Sequence, residues 1–339
     1  MEVGPQFRNM KIDKRNNFEN DIVIIDGLWG SGKSLLSPIV SGMDNMVKTI
    51  LVPYIDQINI LINESYIEKS VGNSFITNEL DRLIYENQMG RNLNYRIHDV
   101  SGLMNNPNIL KDIKRLFKKD IDYTQDDFKN SAISIMTHMF LISNDSIIEK
   151  KDNNIMLIEC VRNPVFAFDH WFNFLKRFND KKIFHLGYYR DNKKIPWFAR
   201  TWAEKFDTLN EYDKTLASMI YCYNKLFSRY KKLHKNSNIF FLPFESLVYD
   251  TDKALKEISV FTGRDYGKDL NKILKRQKIP RKNILNGTGY SKYGYKRSYS
   301  SISDKKFLEI HLEILEKECD NNILRDYKDI INNYNLNFK

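Results

Sequence analysis

The chain lacks the hallmarks of several protein classes. Its three cysteines, Cys160, Cys222 and Cys319, are odd in number and far apart, so neither a disulfide framework nor a zinc cluster is indicated. No apolar run approaches the roughly 20 residues that cross a bilayer, and the polar start from Met1 to Asn20 has no signal-peptide core. A cytoplasmic protein with no membrane partner is therefore expected. Internal repeats, low-complexity tracts and nucleic-acid-binding signatures are all missing. The net charge of +10, spread along the chain, thus favours anionic ligands in general and not nucleic acid. With 339 residues, 42% hydrophobic and 28% charged, the chain has the size and composition of a globular protein with a full core. The expected organisation is a polar N-terminal arm over 1–20 and a single α/β domain over 21–339. Oligomeric state is left open.

What the chain does carry is concentrated between Asp21 and Leu36. The apolar, β-branched run Ile22-Val23-Ile24-Ile25 leads into Gly27-Leu28-Trp29-Gly30-Ser31-Gly32-Lys33-Ser34, and apolar residues at helical spacing follow. This is the strand-loop-helix context that a G-x-x-x-x-G-K-[ST] phosphate loop requires. Glycines remove Cβ atoms so that backbone N–H groups can curl around an anion, and the helix adds its positive N-terminal end. Trp29, Gly30, Ser31, Gly32, Lys33 and Ser34 are the expected nucleotide-binding residues, with Lys33 reaching a terminal phosphate or sulfate oxygen.

Further strands are expected near Leu51-Val52-Pro53, over Asn154 to Val161 and over Asn238 to Pro243, and Ser131 to Ile142 carries another apolar run. Helices are expected at about 33–44, 109–119, 164–178, 211–234 and 251–262, the last ending at Gly263, and residues 56–90 read as mainly helical. Strands alternating with helices after a phosphate loop imply a doubly wound, mainly parallel sheet with helices on both faces and ligand at the strands' carboxyl ends. An aromatic-rich insertion at about 180–205 mixes Phe184, Tyr188, Tyr189, Trp197, Phe198 and Trp202 with Arg190, Lys193, Lys194 and Arg200. It suits an acceptor wall for sugar or aromatic rings, or equally a set of helix-packing aromatics.

Four short segments discriminate among phosphate-loop chemistries. Thr137-His138 precedes Arg162-Asn163-Pro164 at a strand end, Phe244-Glu245-Ser246-Leu247 follows the strand over 238–243, and Phe261-Thr262-Gly263 closes the next helix. Their order and spacing resemble the sulfotransferases that use 3′-phosphoadenosine 5′-phosphosulfate (PAPS), over roughly residues 21–300. The resemblance implies sulfuryl transfer from PAPS to a hydroxyl or amine of a small-molecule or carbohydrate acceptor, with adenosine 3′,5′-bisphosphate as product. It puts the catalytic histidine at His138 and a 3′-phosphate contact at Arg162. His170 stands where the family has a serine in that contact, and Arg281-Lys282 or Lys296-Arg297 would supply further donors.

Bare chemistry agrees with these roles. An imidazole titrating near neutrality can take the acceptor's proton, and a planar guanidinium can grip an anion. His98, beside Asp99, is a second base candidate, while His185, His234 and His311 have no comparable framing. The chain departs from the family inside the loop, where Gly30 occupies the usual lysine position and Lys33 the position typical of nucleotide triphosphatases. A small-molecule kinase using ATP and Mg²⁺, with Glu159 or Asp99 on the metal, is the second reading, and a non-catalytic nucleotide-binding module the third. No metal site is expected in the first.

Overall fold

A computed structural model describes residues 17–96, 102, 109–119, 124, 131–148, 154–180, 183, 185–286 and 302–338. Most of the arm over 1–20 lies outside that set, as do His98, Asp99, Phe184 and Lys296-Arg297. The end of the arm is attached to the rest: the Asn17 amide donates to the Asp81 carboxylate at 2.9 Å and Asn20 Nδ2 to the Ser131 carbonyl at 2.7 Å.

Five parallel strands form the central sheet: β1 (Ile22–Asp26), β2 (Ile50–Leu51), β3 (Ile133–Met136), β4 (Ile155–Val161) and, after a separate antiparallel hairpin of β5 (Gly187–Arg190) and β6 (Lys193–Pro196), β7 (Ile239–Pro243). Their order is β2-β3-β1-β4-β7, so β1 lies at the centre with β3 on one side and β4 on the other. Alternation along β1 shows why both faces are covered. Val23 and Ile25 pack with Leu36, Ile39 and Leu255, while Ile22 and Ile24 pack with Ile55, Ile76 and Leu80. A strand apolar on both faces is at home only between two helical layers.

Among the described residues the helices are α1 (Lys33–Val40), α2 (Pro53–Asn63), α3 (Lys69–Gln88), α4 (Ile109–Arg115), α5 (Phe140–Ser143), α6 (Pro164–Lys176), α7 (Ala203–Thr208), α8 (Glu211–Leu233), α9 (Phe244–Tyr249), α10 (Thr251–Thr262), α11 (Leu270–Gln277), α12 (Asp304–Glu318) and α13 (Asn321–Phe338). The stretch over 56–90, expected to be mainly helical, holds two helices. Ser65 sits at φ +61° between them, and Pro53 opens α2 at its first turn, where a missing N–H costs nothing. Gly263 ends α10 in the left-handed conformation, as the sequence led us to expect.

Two rings of the aromatic insertion are core. Trp197 and Phe198 are buried, and Phe198 joins Trp29, Trp171, Phe174 and Phe178 in one ring cluster. The helix-packing alternative therefore holds for those two rings. Tyr188 and Tyr189 lie on the hairpin, the latter exposed. The hairpin is tied to the end of α2 through Glu64, which accepts from Tyr188 Oη at 2.8 Å and Arg200 at 2.9 Å.

The helical pair α12–α13, for which no expectation was drawn from sequence, closes the core over residues 304–338. On α12, His311 lies 4.8 Å from the Phe168 ring, with Nε2 3.2 Å from the Tyr327 hydroxyl. Burial pulls its pKa from 6.5 down to about 4. The unfolded chain thus takes up the proton first, and the neutral buried imidazole's contribution, intact above about pH 6.5, is lost as pH falls toward 4. The loss amounts to about 3 kcal/mol, at ~1.4 kcal/mol per unit. His311→Gln is expected to flatten the fall of Tm between pH 7 and about 4.5 relative to the parent. An unchanged slope would mean that His311 is accessible to protons in the folded chain.

Candidate active site

Because β1, β3, β4 and β7 are parallel, their carboxyl ends meet along one edge, and the residues singled out in the sequence sit just past those ends. Gly27 to Gly32 follow β1, Thr137 and His138 follow β3, Arg162 and Asn163 follow β4, and Phe244 with Glu245 follow β7. Hydrogen bonds tie these ends together. The Met139 amide donates to the Gly27 carbonyl at 3.2 Å, Thr137 Oγ1 to Asp26 at 3.0 Å, and the Leu141 amide to the other Asp26 oxygen at 2.8 Å.

The glycine-rich loop is closely fitted. Gly32, the residue before α1, has φ +111°, and a Cβ there would fall 2.2 Å from the Phe244 ring. Gly32→Ala is expected to lower stability by about 3 kcal/mol or more, combining backbone strain with overpacking, and to weaken anion binding at the loop. Gly263→Ala is the control. Its φ of +64° suits the left-handed region and nothing lies within 4 Å, so about 1 kcal/mol should be lost. Equal losses in the two variants would show that the loop tolerates a side chain.

Within the loop the expected residues diverge. Ser34 is exposed at the start of α1, whereas Ser31 Oγ is buried with no hydrogen-bond partner. Trp29 points into the ring cluster, 4.3 Å from Phe174 and 4.8 Å from Trp171. Its side chain anchors the loop instead of lining the open side. Lys33 is buried too, its Nζ donating to the carbonyls of Gly27 at 2.6 Å and Leu28 at 2.8 Å. Register places Asp26 beside Glu159, and both carboxylates act on Lys33. Burial lowers the Lys33 pKa and the two acids oppose the shift. Burial, and then the neighbouring charge and hydrogen bond of Asp26, raise Glu159 well above the usual carboxylate range. Glu159, the metal partner of the kinase reading, is thus enclosed behind the loop. Among the described residues no group of three or more His, Cys, Asp or Glu side chains is placed to hold a metal ion.

Arg162 lies under the loop. Its Nη1 donates to the Gly30 carbonyl at 2.9 Å, and its guanidinium sits 4.4 Å from the centre of the Phe244 ring. The backbone around it is braced. Tyr223 Oη donates to the Arg162 carbonyl at 2.7 Å, and Glu245 accepts both the Asn163 amide at 3.0 Å and the Tyr334 hydroxyl of α13. His170, on α6, meets the same loop, since a Cβ on Gly30 would come within 2.9 Å of His170 Cβ. The three guanidinium nitrogens of Arg281 donate to the carbonyls of Lys278, Ile284 and Gln277. Lys282 is exposed beside it.

His138 is partly exposed. Its amide donates to Asp56 Oδ1 at 2.9 Å, and its Nδ1 lies 3.5 Å from Asp56 Oδ2. A second imidazole joins it, because the His185 ring stands edge-on at 5.6 Å. Burial, then the Lys194 and Lys33 charges, pull the His185 pKa down to about 4, so that ring is neutral near pH 7. Asp56 and His185 were missed from sequence. Signals existed for both: Asp56 interrupts the buried face Ile55-Asp56-Ile58 of α2, and His185 interrupts the apolar run Ile183-Phe184-His185-Leu186.

In sum of chemistry, the edge offers a glycine-lined helix start, a guanidinium beneath it, a lysine within it and an imidazole beside it. Such a set can hold a compact anion and move a proton. Among solved structures, the chain is similar to the sulfotransferase domain from the curacin biosynthetic pathway, with 11% identity, 94% of this chain and 99% of that chain covered and a TM-score of 0.43. It is also similar to mouse sulfotransferase SULT7A1 complexed with PAP, at 14% identity, 94% and 90% coverage and a TM-score of 0.38. Sulfotransferase STF9 from Mycobacterium avium matches at 10% identity, 89% and 79% coverage and a TM-score of 0.38. No curated protein matches the chain. The family model described as "Sulfotransferase domain" matches residues 24–312, from within β1 through most of α12 and so across every residue of this edge. The chain belongs to the sulfotransferase domain family.

Proposed function

We propose that the protein transfers the sulfuryl group of PAPS to a hydroxyl or amine of a small-molecule or carbohydrate acceptor. The observation that carries this reading is the contact of Arg162 with the Gly30 carbonyl, beside a loop whose Gly27 carbonyl accepts from the residue after His138. Anion grip and base then serve one location. The loop fits a phosphate-bearing donor: it has no side chain at Gly30 or Gly32, and the buried Ser31 hydroxyl has no protein partner. PAPS supplies an activated sulfuryl group. Gly30, Ser31, Gly32, Lys33 and Ser34 would hold its 5′ end, and Arg162, with His170 near it, its 3′-phosphate. His138 accepts the acceptor's proton, and Lys33, once released from its two carbonyls, neutralises charge on the leaving oxygen.

The kinase reading is less well supported because Glu159 is enclosed with Asp26 and not presented at the loop. Incubation with PAPS and a panel of simple phenols, sugars and amines is expected to release adenosine 3′,5′-bisphosphate in an acceptor-dependent way, without added metal. Release of ADP from ATP and Mg²⁺ with the same panel, and none of the bisphosphate from PAPS, would overturn the assignment.

A further inference from the structure

The Asp56–His138 contact goes further than a base at a strand end. Asp56 comes from α2, far from His138 in sequence, and is buried, with 4% of its surface exposed. One carboxylate oxygen is fixed by the His138 amide, which leaves the other for the ring of the same residue, 3.5 Å from Nδ1. A carboxylate so placed accepts from an Nδ1–H, and the ring's lone pair is then on Nε2.

We propose that Asp56 is a positioning residue for His138: it selects the Nδ1-protonated tautomer, so that Nε2 faces the acceptor as base, and it stabilises the imidazolium formed when the proton arrives. The proposal rests on the sulfuryl-transfer reading. In that reaction the acceptor oxygen gives its proton to Nε2 and its electron pair to sulfur. The bond from sulfur to the bridging oxygen breaks, and the bisphosphate leaves with that pair. His138 afterwards returns the proton to solvent.

The 3.5 Å separation is long, as catalytic hydrogen bonds often are before the reacting complex forms. Burial makes the partnership matter. It is the main force raising the Asp56 carboxyl above its usual range, opposed by the His138 amide and by Lys33, while Asp26 adds to it. A poorly solvated carboxylate gains most from a positive charge appearing beside it. His185 is a second titratable ring against His138, and it stays neutral.

Asp56→Asn keeps an oxygen for the His138 amide but turns an NH₂ toward Nδ1, which favours the wrong tautomer. The expected result is a kcat lower by about 10²-fold or more, with affinity for adenosine 3′,5′-bisphosphate within about twofold of the parent. The acidic limb of the kcat–pH profile should move to lower pH, because an adjacent anion no longer favours the protonated ring. In a His138→Ala background the same change should have no further effect on kcat. A kcat within about threefold of the parent, or an equal loss in both backgrounds, would overturn the proposal.

Tautomer assignment by ¹⁵N NMR of histidine-labelled parent protein needs no variant and no acceptor. Nδ1–H on neutral His138 is expected, and Nε2–H would sink the idea. The two readings fail separately: a parent that turns over ATP and not PAPS removes the sulfuryl-transfer reading, whereas an unaffected Asp56→Asn enzyme that still uses PAPS removes only this one.

Discussion

Replacing His138 by alanine is expected to lower turnover with PAPS by about 10²–10⁴-fold while leaving adenosine 3′,5′-bisphosphate affinity nearly unchanged. The ring has one edge toward Asp56 and is partly exposed, whereas the proposed anion site consists of the loop and Arg162. Loss of the imidazole therefore removes proton transfer and little of donor binding. The folded state should survive, because the Asp56 contact to the backbone amide needs no side chain. Turnover near the parent level would make His138 structural. His185, 5.6 Å away, would be the next base to test, although burial has already pulled its pKa to about 4, below what a base working near neutrality needs.

Lys33 and Arg162 should respond in opposite ways. If Lys33 neutralises charge building on the bridging oxygen, Lys33→Ala lowers kcat far more than it weakens bisphosphate binding, since the product lacks the transferred group. Arg162→Ala should instead weaken bisphosphate binding by about 10–100-fold, as one charge-assisted hydrogen bond is worth ~1.5–3 kcal/mol. Its effect on kcat at saturating donor should be small, because the 3′-phosphate is held alike in ground and transition states. Melting curves and steady-state rates of both variants check the pattern. The contrary pattern, with bisphosphate affinity intact in Arg162→Ala and ATP binding abolished in Lys33→Ala, favours phosphoryl transfer. Lys33→Ala should in addition lower the Tm of the unliganded protein. The Lys33 ammonium is bound to two loop carbonyls, so the alanine variant leaves those buried acceptors short of a donor.

The sheet was legible because its strands are short apolar runs ending in chemically distinctive residues. The expected strand over 238–243 is β7 (Ile239–Pro243), and the run over 154–161 is β4 (Ile155–Val161), each within a residue. Period and composition suffice when both faces of a strand are buried. The break between α2 and α3 was hidden because the apolar stripe continues through it, although Ser65 turns to positive φ and Glu68 is extended between the two helices. The contacts that give the edge its chemistry were not legible. Asp56 and His138 are joined only by the way α2 crosses the end of β3, and no local pattern records that crossing. Trp29 lies among loop residues in sequence, yet its side chain belongs to a core assembled from α6 and the insertion. Arg281 sits in a basic segment, and its contacts with the carbonyls at the end of α11 could not be read there. Charge in sequence marks what a side chain can bind, and packing decides what it meets.

Calorimetric titration of the protein with adenosine 3′,5′-bisphosphate in the presence of EDTA tests the central claim most directly. Binding at one site without metal, tighter than that of ATP with Mg²⁺ and weakened in Arg162→Ala, is the predicted result. Tight, Mg²⁺-dependent binding of ATP with no detectable heat from the bisphosphate would contradict it.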